Sequence, residues 1–506
     1  MSRRLAGSAF VLLVGTAMAQ SGEIRRPDIA TTPLPRSVSM DGRTYVDHGL
    51  VAAGSLPAGT VDFLGDTLGS FSSLMIEPGT WKRDGDTYTG VLWTLPDRGR
   101  NDPEHGLFFD YQGRMHRFRV RMTAVSGTTG PGAASASLTF TPDGGRAFRD
   151  FEGKPFTGAE PGKGTRTERG LVLPSPASGT GAGKLSLDAE SLQFARDGGF
   201  YVGDEYAANV YRFDAGGRLQ GVIVPPRSVQ PLDADGNLDF TSLRAPATGR
   251  RNNQGVEGMA LSPDGKRLFV VLQSALVQDT APGDASGRAL TRVLVYDVSH
   301  DATPRRPVAH YVVRLPTYAE KGSGGEPDRT AAQSEIRVLD THRFLMLARD
   351  GAGLGADESK PIVYKSVLLV DTRQATNLAG TAYETATTSL RDARGELRPG
   401  IRTAAWKPLV DLLDPADLAR FGLSVDRAQP GRTMLSEKWE AMDLVSALDP
   451  AHPDDWFLIV GNDNDFVAAH CVMDGRRCDS AFDNDNRILV YRLTLPGMRS
   501  TAAPNP

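Results

Sequence analysis

The chain has 506 residues, with 57 Lys and Arg against 61 Asp and Glu for a formal charge of −4, and it is 23% charged and 40% hydrophobic. That balance excludes global disorder and a polytopic membrane protein, and a mildly acidic chain lacks the diffuse basic field of non-specific nucleic-acid binding. Gly (55) and Pro (33) make up about 17% of the residues against a usual ~12%, with no period, which points to the many turns of an all-β protein. At the amino end, Arg3 and Arg4 precede the apolar run 5–14, and Ala17-Met18-Ala19 follows. A basic, apolar, small-x-small series is a signal peptide, predicted to be cleaved after Ala19. The apolar run is short for a bilayer span and no other stretch looks long enough, so a periplasmic or secreted chain is expected. Residues 20–42 read as an extension, 43–496 as the main domain and 497–506 as a tail.

Five segments then repeat one pattern. Residues 71–76 lead to 90–97, 187–194 to 200–205, 255–261 to 268–273, 334–339 to 344–350, and 439–444 to 456–463. Third strands follow at 209–213, 292–296, 367–370 and 487–491 in the last four. Each unit reads acid, short strand, turn, then an apolar strand ending in a polar group. The acids are Glu190, Glu257, Glu335 and Glu440, with Ser70 in that place in the first unit. The polar ends are Asp97, Glu205, Gln273, Asp350 and Asp463. Irregularly spaced antiparallel units of this kind predict a β-propeller, and six blades would fit the mass. Residues 44–48 are expected to pair with the last unit and close the ring. An open sandwich, or two all-β domains, explains the repeat less well. The Gly/Pro/Thr-rich stretch 143–184 reads as a long surface loop. Residues 407–413 and 417–421 have helical spacing around the helix start Asp414-Pro415, predicting a small helical insertion at about 400–425.

If the units surround one axis, their acids converge on one face and repel unless a cation neutralises them. Oxygen-only ligands favour Ca²⁺. The expected ligands are Glu190, Glu205, Glu257, Glu335, Asp350, Glu440 and Asp463. The plainer alternative is that each Glu caps a turn or pairs with an Arg between neighbouring units. Asp97, Arg98, His105, Arg349 and Lys438 are the expected substrate contacts, suited to a small anionic or ester molecule. Glu190, Glu257, Arg98 and Lys438 form the expected catalytic set. The loop 233–239 alternates acids but lacks the twelfth-position Glu of a calcium loop, and reads as a solvated turn. Cys471 and Cys478, the only two cysteines of an exported chain, are expected to form a disulfide. No Gly-x-Ser-x-Gly, Ser-x-x-Lys or His-Glu-x-x-His motif occurs, and 178–185 lacks the first Gly and last Ser/Thr of a phosphate loop. A monomer is expected.

Over roughly residues 60–495 the chain resembles the phytase-like family of exported bacterial proteins, described by esterase-like activity of phytase. The resemblance rests on Asp97-Arg98-Gly99, Asp188-Ala189-Glu190-Ser191-Leu192 with Gly203-Asp204-Glu205, Asn253-Gln254-Gly255-Val256-Glu257-Gly258, Lys438-Trp439-Glu440-Ala441-Met442 and Asn462-Asp463-Asn464-Asp465-Phe466. It implies a propeller and hydrolysis of a phosphoester or other ester. The Asp-Asp-Pro-Ala-Ile-Trp type of segment associated with β-propeller phytases is absent. Gluconolactonase-type propellers also gather tunnel carboxylates around one divalent metal. A lactonase and a non-catalytic ligand-binding propeller are therefore the alternatives.

Overall fold

The computed structural model describes residues 22–125, 137–281, 286–356, 359–426, 431 and 433–498. The expected signal peptide lies outside these residues, as does the tail beyond 498. The described fold is all-β. In chain order the strands used below are β1 (Arg36–Met40), β2 (Arg43–Leu56), β3 (Ser73–Ile76), β4 (Thr87–Leu95), β5 (Arg114–Thr123) and β6 (Leu138–Ala147). Next come β7 (Ala189–Phe194), β8 (Phe200–Asp204), β9 (Val210–Phe213), β10 (Leu219–Ile223), β11 (Val256–Leu261), β12 (Arg267–Leu272), β13 (Leu290–Asp297) and β14 (Ala309–Arg314). Last are β15 (Ala332–Val338), β16 (Arg343–Arg349), β17 (Lys365–Asp371), β18 (Ala405–Asp411), β19 (Lys438–Ser446), β20 (Asp455–Asp463) and β21 (Asn486–Thr494).

These strands form five antiparallel sheets, in the orders β3-β4-β5-β6, β7-β8-β9-β10, β11-β12-β13-β14, β15-β16-β17-β18 and β1-β2-β21-β20-β19. The first strand of each repeat touches the next: β3 meets β7, β7 meets β11, β11 meets β15, β15 meets β19, and β19 meets β3. The sheets thus close on themselves around these five strands. Five sheets of this kind occur among the described residues, not the six expected. The poorly patterned regions go to loops and hairpins instead of a sixth sheet.

Apolar faces explain the closure. A sheet whose two faces are both covered reads as a continuous apolar run, as in β16, where every residue is buried. Between the first and second sheets Trp93, Met115, Leu192 and Val202 share one cluster. Met259 and Val270 join Tyr201 and Val210 between the second and third. Phe269 and Val293 meet Phe344 and Leu368 between the third and fourth. Leu345 and Leu369 meet Trp439 and Leu458 between the fourth and fifth, and Ile459 and Val490 meet Leu74 and Phe118 between the fifth and first. Non-directional burial of this type holds sheets at face-to-face spacing without any covalent tie.

The expected closure by 44–48 is present. β2 pairs with β21, Val46 lying opposite Thr494 and Asp47 opposite Leu493. The fifth sheet therefore begins at Arg36, ahead of residue 43, and Glu23–Ile24 pairs with Thr317–Tyr318. Two expectations need correction. Within 143–184 a hairpin of Thr165–Glu168 and Leu171–Pro174 forms, and β6 continues to Ala147. Residues 407–413 are not helical: β18 covers them as far as Asp411 and pairs with β17. The open edge of β17 offers backbone partners that a weak helical preference cannot match, and Pro408 sits where an edge strand tolerates a missing N–H. The helix itself is confined to Pro415–Arg420, capped by Asp414, whose carboxylate accepts from Ala416 N at 2.9 Å and Asp417 N at 3.1 Å.

Candidate functional site

Four of the five innermost strands carry a β-bulge near their amino ends. The register skips Glu190 in β7, Glu257 in β11, Ser334 in β15 and Glu440 in β19. A bulged residue is released from the alternation of its strand and can be aimed elsewhere. Here three of the four are glutamates, each with an oxygen within 4.8 Å of the other two. All three are buried. The same register aligns the ends of the second strands as Asp97, Glu205, Gln273, Arg349 and Asp463.

The fourth unit is therefore displaced by one residue from the sequence expectation. Ser334 and Arg349, not Glu335 and Asp350, occupy the equivalent places. Glu335 drops below the bulge layer, where its carboxylate accepts from Ser73 Oγ at 2.6 Å, Ile336 N at 2.9 Å and Met259 N at 3.1 Å. Its structural neighbours at that level are the small residues Ser73, Ser191, Gly258 and Ala441, which leave it room. A Cβ on Gly258 would meet Gln333 Nε2 at 2.3 Å and Ile336 N at 3.1 Å. Asp350 binds Lys365 Nζ at 2.7 Å and the amides of Val363 and Tyr364. It borders the cavity, but its oxygens are committed to β17 and the loop before it.

Two further acid groups adjoin the glutamates. Asp97, Asp188 and Glu190 place oxygens within 4.8 Å of one another, and so do Asp97, Asp463 and Asp465. Asp188 and Asp465 are the acids the sequence reading did not select. Each lies two residues from a selected acid, Asp188 from Glu190 and Asp465 from Asp463, just outside the strand. Asp465 also holds a left-handed backbone, φ 51°, which Asp adopts more readily than most side chains. Three cations stand among these acids. Arg98 pairs with Asp188 at 3.0 Å and Lys438 with Asp465 at 2.6 Å and Asp463 at 3.3 Å, while Arg349 binds Glu440. These pairs match part of the plainer reading of the acids, since Arg349 of β16 ties Glu440 of β19. Among the described residues Asp97, Glu190, Glu205 and Glu257 have no ion-pair partner. Glu257 Oε2 and Glu205 Oε1 are buried without a hydrogen bond, although Gln273 donates to Glu257 Oε1 at 2.9 Å.

Two carboxylates 4.8 Å apart repel by about 3.5 kcal/mol at an effective dielectric of ~20. Burial, then the neighbouring Glu257 and Glu205, push Glu190 well above the usual carboxylate range. Burial and the charges of Glu205 and Glu440 do the same to Glu257, and burial with Asp463 and Asp188 to Asp97. Glu205 is raised to about 8 by burial and Asp188; Asp463 is raised by burial to about 6, with Lys438 opposing. An all-oxygen donor set with excess negative charge and unpartnered oxygens fits a hard divalent cation.

The cluster opens into a cavity of about 480 Å³ that Arg98, Asn101, Asn253, Arg349 and Lys438 help to line. His105 does not border it; the side chain is 79% exposed and pairs with Asp102 at 2.8 Å. The Cys471–Cys478 disulfide is formed as expected. Its loop presents Met473, which packs with Phe109, Tyr111 and Phe466 and accepts from Arg100 N at 3.2 Å, supporting the 97–101 turn from behind. Loop 233–239 is a turn in which Asp233 accepts from Asp235 N and Asn237 N.

One consequence is measurable without a ligand. Asp47 and Glu335 are held at about 7 and Asp411 at about 6, each by burial, alongside Glu205 and Asp463. Unfolded carboxyls release their protons near pH 4. Between that value and pH 6–8 the folded chain binds more protons, so stability is greatest toward pH 5 and is lost as pH rises to 8. In EDTA the melting temperature should fall monotonically from pH 5 to pH 8. A rise over that window would refute the assignment.

Comparison with known proteins places these residues in context. Residues 68–466 match the family model described as phytase-like, esterase-like activity of phytase. A protein of Arthroderma benhamiae, described as an uncharacterized secreted protein, is 33% identical over 472 residues, covering 86% of this chain and 90% of its own. Among solved structures, the major Malassezia sympodialis allergen Mala s 1 aligns at 11% identity and TM-score 0.28, over 90% of this chain and 88% of that one. The PQQ-bound aldose sugar dehydrogenase of Streptomyces coelicolor aligns at 13% identity and TM-score 0.27, over 88% and 99%. At such scores neither alignment bears on the architecture, which rests on the strand pairing above. No helix among the described residues is long and apolar enough to cross a membrane.

Proposed function

The chain belongs to the phytase-like family, and from that premise we propose that it is an exported, periplasmic or secreted hydrolase that cleaves a phosphoester or other ester at the acid-lined cavity, with a divalent cation, Ca²⁺ by its ligand chemistry. The architecture is read as a five-bladed propeller whose axis runs through β3, β7, β11, β15 and β19. The observation that carries the functional reading is the meeting of Glu190, Glu257 and Glu440, from three separate sheets, with oxygens within 4.8 Å. Arg349 already binds Glu440, whereas Glu190 and Glu257 have no ion-pair partner among the described residues, so a cation seated between the three would relieve their mutual repulsion. Glu190, Glu257 and Glu440 would hold the ion, with Asp97, Asp188, Asp463 and Asp465 extending the same donor set. A bound divalent cation supplies Lewis-acid polarisation of an ester oxygen.

The chain's own residues supply the rest. Arg98 and Lys438 stand at the cavity wall and offer charge-assisted contacts to an anionic group. Each is already oriented by an acid, Arg98 by Asp188 and Lys438 by Asp463 and Asp465, so neither has to be ordered when substrate arrives. Burial of the carboxylates keeps the cavity floor at low effective dielectric, which strengthens each of these contacts. The secreted relative and the disulfide support export.

The test pairs binding with turnover. Calcium titration of the chelated protein should raise its melting temperature. An aryl phosphate, an aryl ester and a lactone, assayed in parallel, should show turnover with at least one substrate that EDTA removes and calcium restores. Calcium binding with background turnover on all three would favour a non-catalytic binding protein. Failure of calcium to bind would remove the basis of the reading.

A further inference from the structure

The carboxyl ends of the innermost strands border a second and larger cavity, of about 740 Å³. Met75, Gln193, Ala260, Arg337 and Asp443, one from each of β3, β7, β11, β15 and β19, line it. The two cavities share no lining residue, and contacts that cross the ring are present. Ser73 of β3 bonds Glu335 of β15, and these two strands are not neighbours in the ring. Arg337 then bonds Asp443 at 3.0 Å and Leu74 O at 2.8 Å.

Its chemistry differs from that of the first cavity. Trp93, Phe194 and Met75 give it aromatic and thioether walls. Trp456, also in the lining, has a buried indole N–H with no partner among the described residues. The guanidinium of Arg146 lies 5.2 Å from the Trp93 ring centre and forms no ion pair among the described residues. Arg196 donates to the Pro263 carbonyl at 3.1 Å and forms no ion pair among the described residues. Arg337 is matched by Asp443, and the remaining acid in the lining, Glu77, accepts from Trp93 Nε1 at 2.7 Å. Two guanidiniums against one such acid leave this cavity positive, where the first is negative.

From these walls and charges we infer that the second cavity binds a small amphipathic organic anion, an aryl or alkyl carboxylate or sulfonate. Its head lies on Arg146 and its apolar body lies against Met75, Trp93 and Phe194. The volume falls in the range of small-molecule sites, and apolar walls with a few placed polar groups are what such sites use. Arginine presents a planar fork that suits a carboxylate or sulfonate, and its stacking on tryptophan holds that fork in place.

Binding of 8-anilinonaphthalene-1-sulfonate and of laurate to the full exported chain, by calorimetry and tryptophan quenching, tests the inference. One equivalent of at least one probe is expected, with the same affinity in EDTA and in calcium. Preference for one probe assigns the body as aryl or alkyl. Arg146→Gln should weaken binding about tenfold or more, as loss of a charge-assisted contact does. Leu261→Trp, which adds bulk at a partly exposed lining position, should abolish it. Near-ultraviolet circular dichroism verifies that each variant is folded, and Arg146→Lys replaces Arg146→Gln if that variant is not. Absence of binding at millimolar probe, or affinities unchanged in both variants, would overturn the inference.

Discussion

Replacing Arg337 with methionine is expected to destabilise the protein by about 3–5 kcal/mol at pH 8, the usual cost of stripping one partner from a buried charge pair. Arg337 is 5% exposed and reaches four of the five innermost strands. It donates to Asp443 Oδ1 at 3.0 Å, Leu74 O at 2.8 Å, Met259 O at 3.3 Å and Ile336 O at 2.7 Å, and lies 3.2 Å from Glu335. Its loss strands two buried acids. Burial already raises Glu335 to about 7 and Asp443 above its ordinary value, with Arg337 the chief opposing charge on each. Without Arg337 both rise further and take up protons more readily as pH falls, so the loss should be smaller at pH 5 than at pH 8. Urea unfolding of both proteins at pH 5 and pH 8 measures this. A change below 1 kcal/mol at pH 8 would mean that the axial contacts are dispensable. Arg337→Met combined with Asp443→Leu should recover part of the loss, because no acid is then left unmatched on β19.

Glu257→Gln should have opposite effects with and without calcium. In chelator at pH 8 the variant should be more stable than the parent, since burial and the charges of Glu205 and Glu440 disfavour the ionised carboxylate that glutamine replaces. Calcium at 100 times its Kd would stabilise the parent by about 2.7 kcal/mol. The variant should lose most of that increment, because removal of a direct ligand costs more affinity than the ~10–100-fold typical of an outer-shell partner. Turnover should fall with it. Glu335→Gln is the control: it lies below the bulge layer, and its calcium increment should match that of the parent whatever its effect on stability. Equal increments in parent and Glu257→Gln would place the ion elsewhere or nowhere.

The two variants probe neighbouring repeats, Glu257 on β11 and Arg337 on β15. Glu190, Glu257 and Glu440 were found because each opens a unit of the same pattern, and the structure brings those three together. The remaining acid of that series, Glu335, stands one residue past the equivalent position. A period of two assigns faces along a strand, but a bulge inserts one residue that the pattern cannot announce. In the fourth unit the acid follows the bulge instead of occupying it, so Glu335 meets Ser73 and Met259 while Ser334 takes the bulge. Asp350 was misplaced for the same reason, and Arg349 gained the position it left. The helix expected at 407–413 failed differently. Its spacing was real, but β17 had an open edge, and a strand satisfied both.

What the amino-acid sequence settled alone is the local chemistry: a turn-rich, two-periodic chain of like strand units, an early strand to close the last sheet, a disulfide, and acids set at recurring points. Those follow from residue type and short-range spacing, which act within a few neighbours. The tertiary structure alone decided how many sheets meet in a ring among the described residues, which carboxylates lie together, and that Glu335 and Arg337 of β15 reach β3 across that ring. Such matters depend on distances between strands far apart in the chain, and one unpaired residue in a ladder is enough to redirect a side chain from one layer to the next.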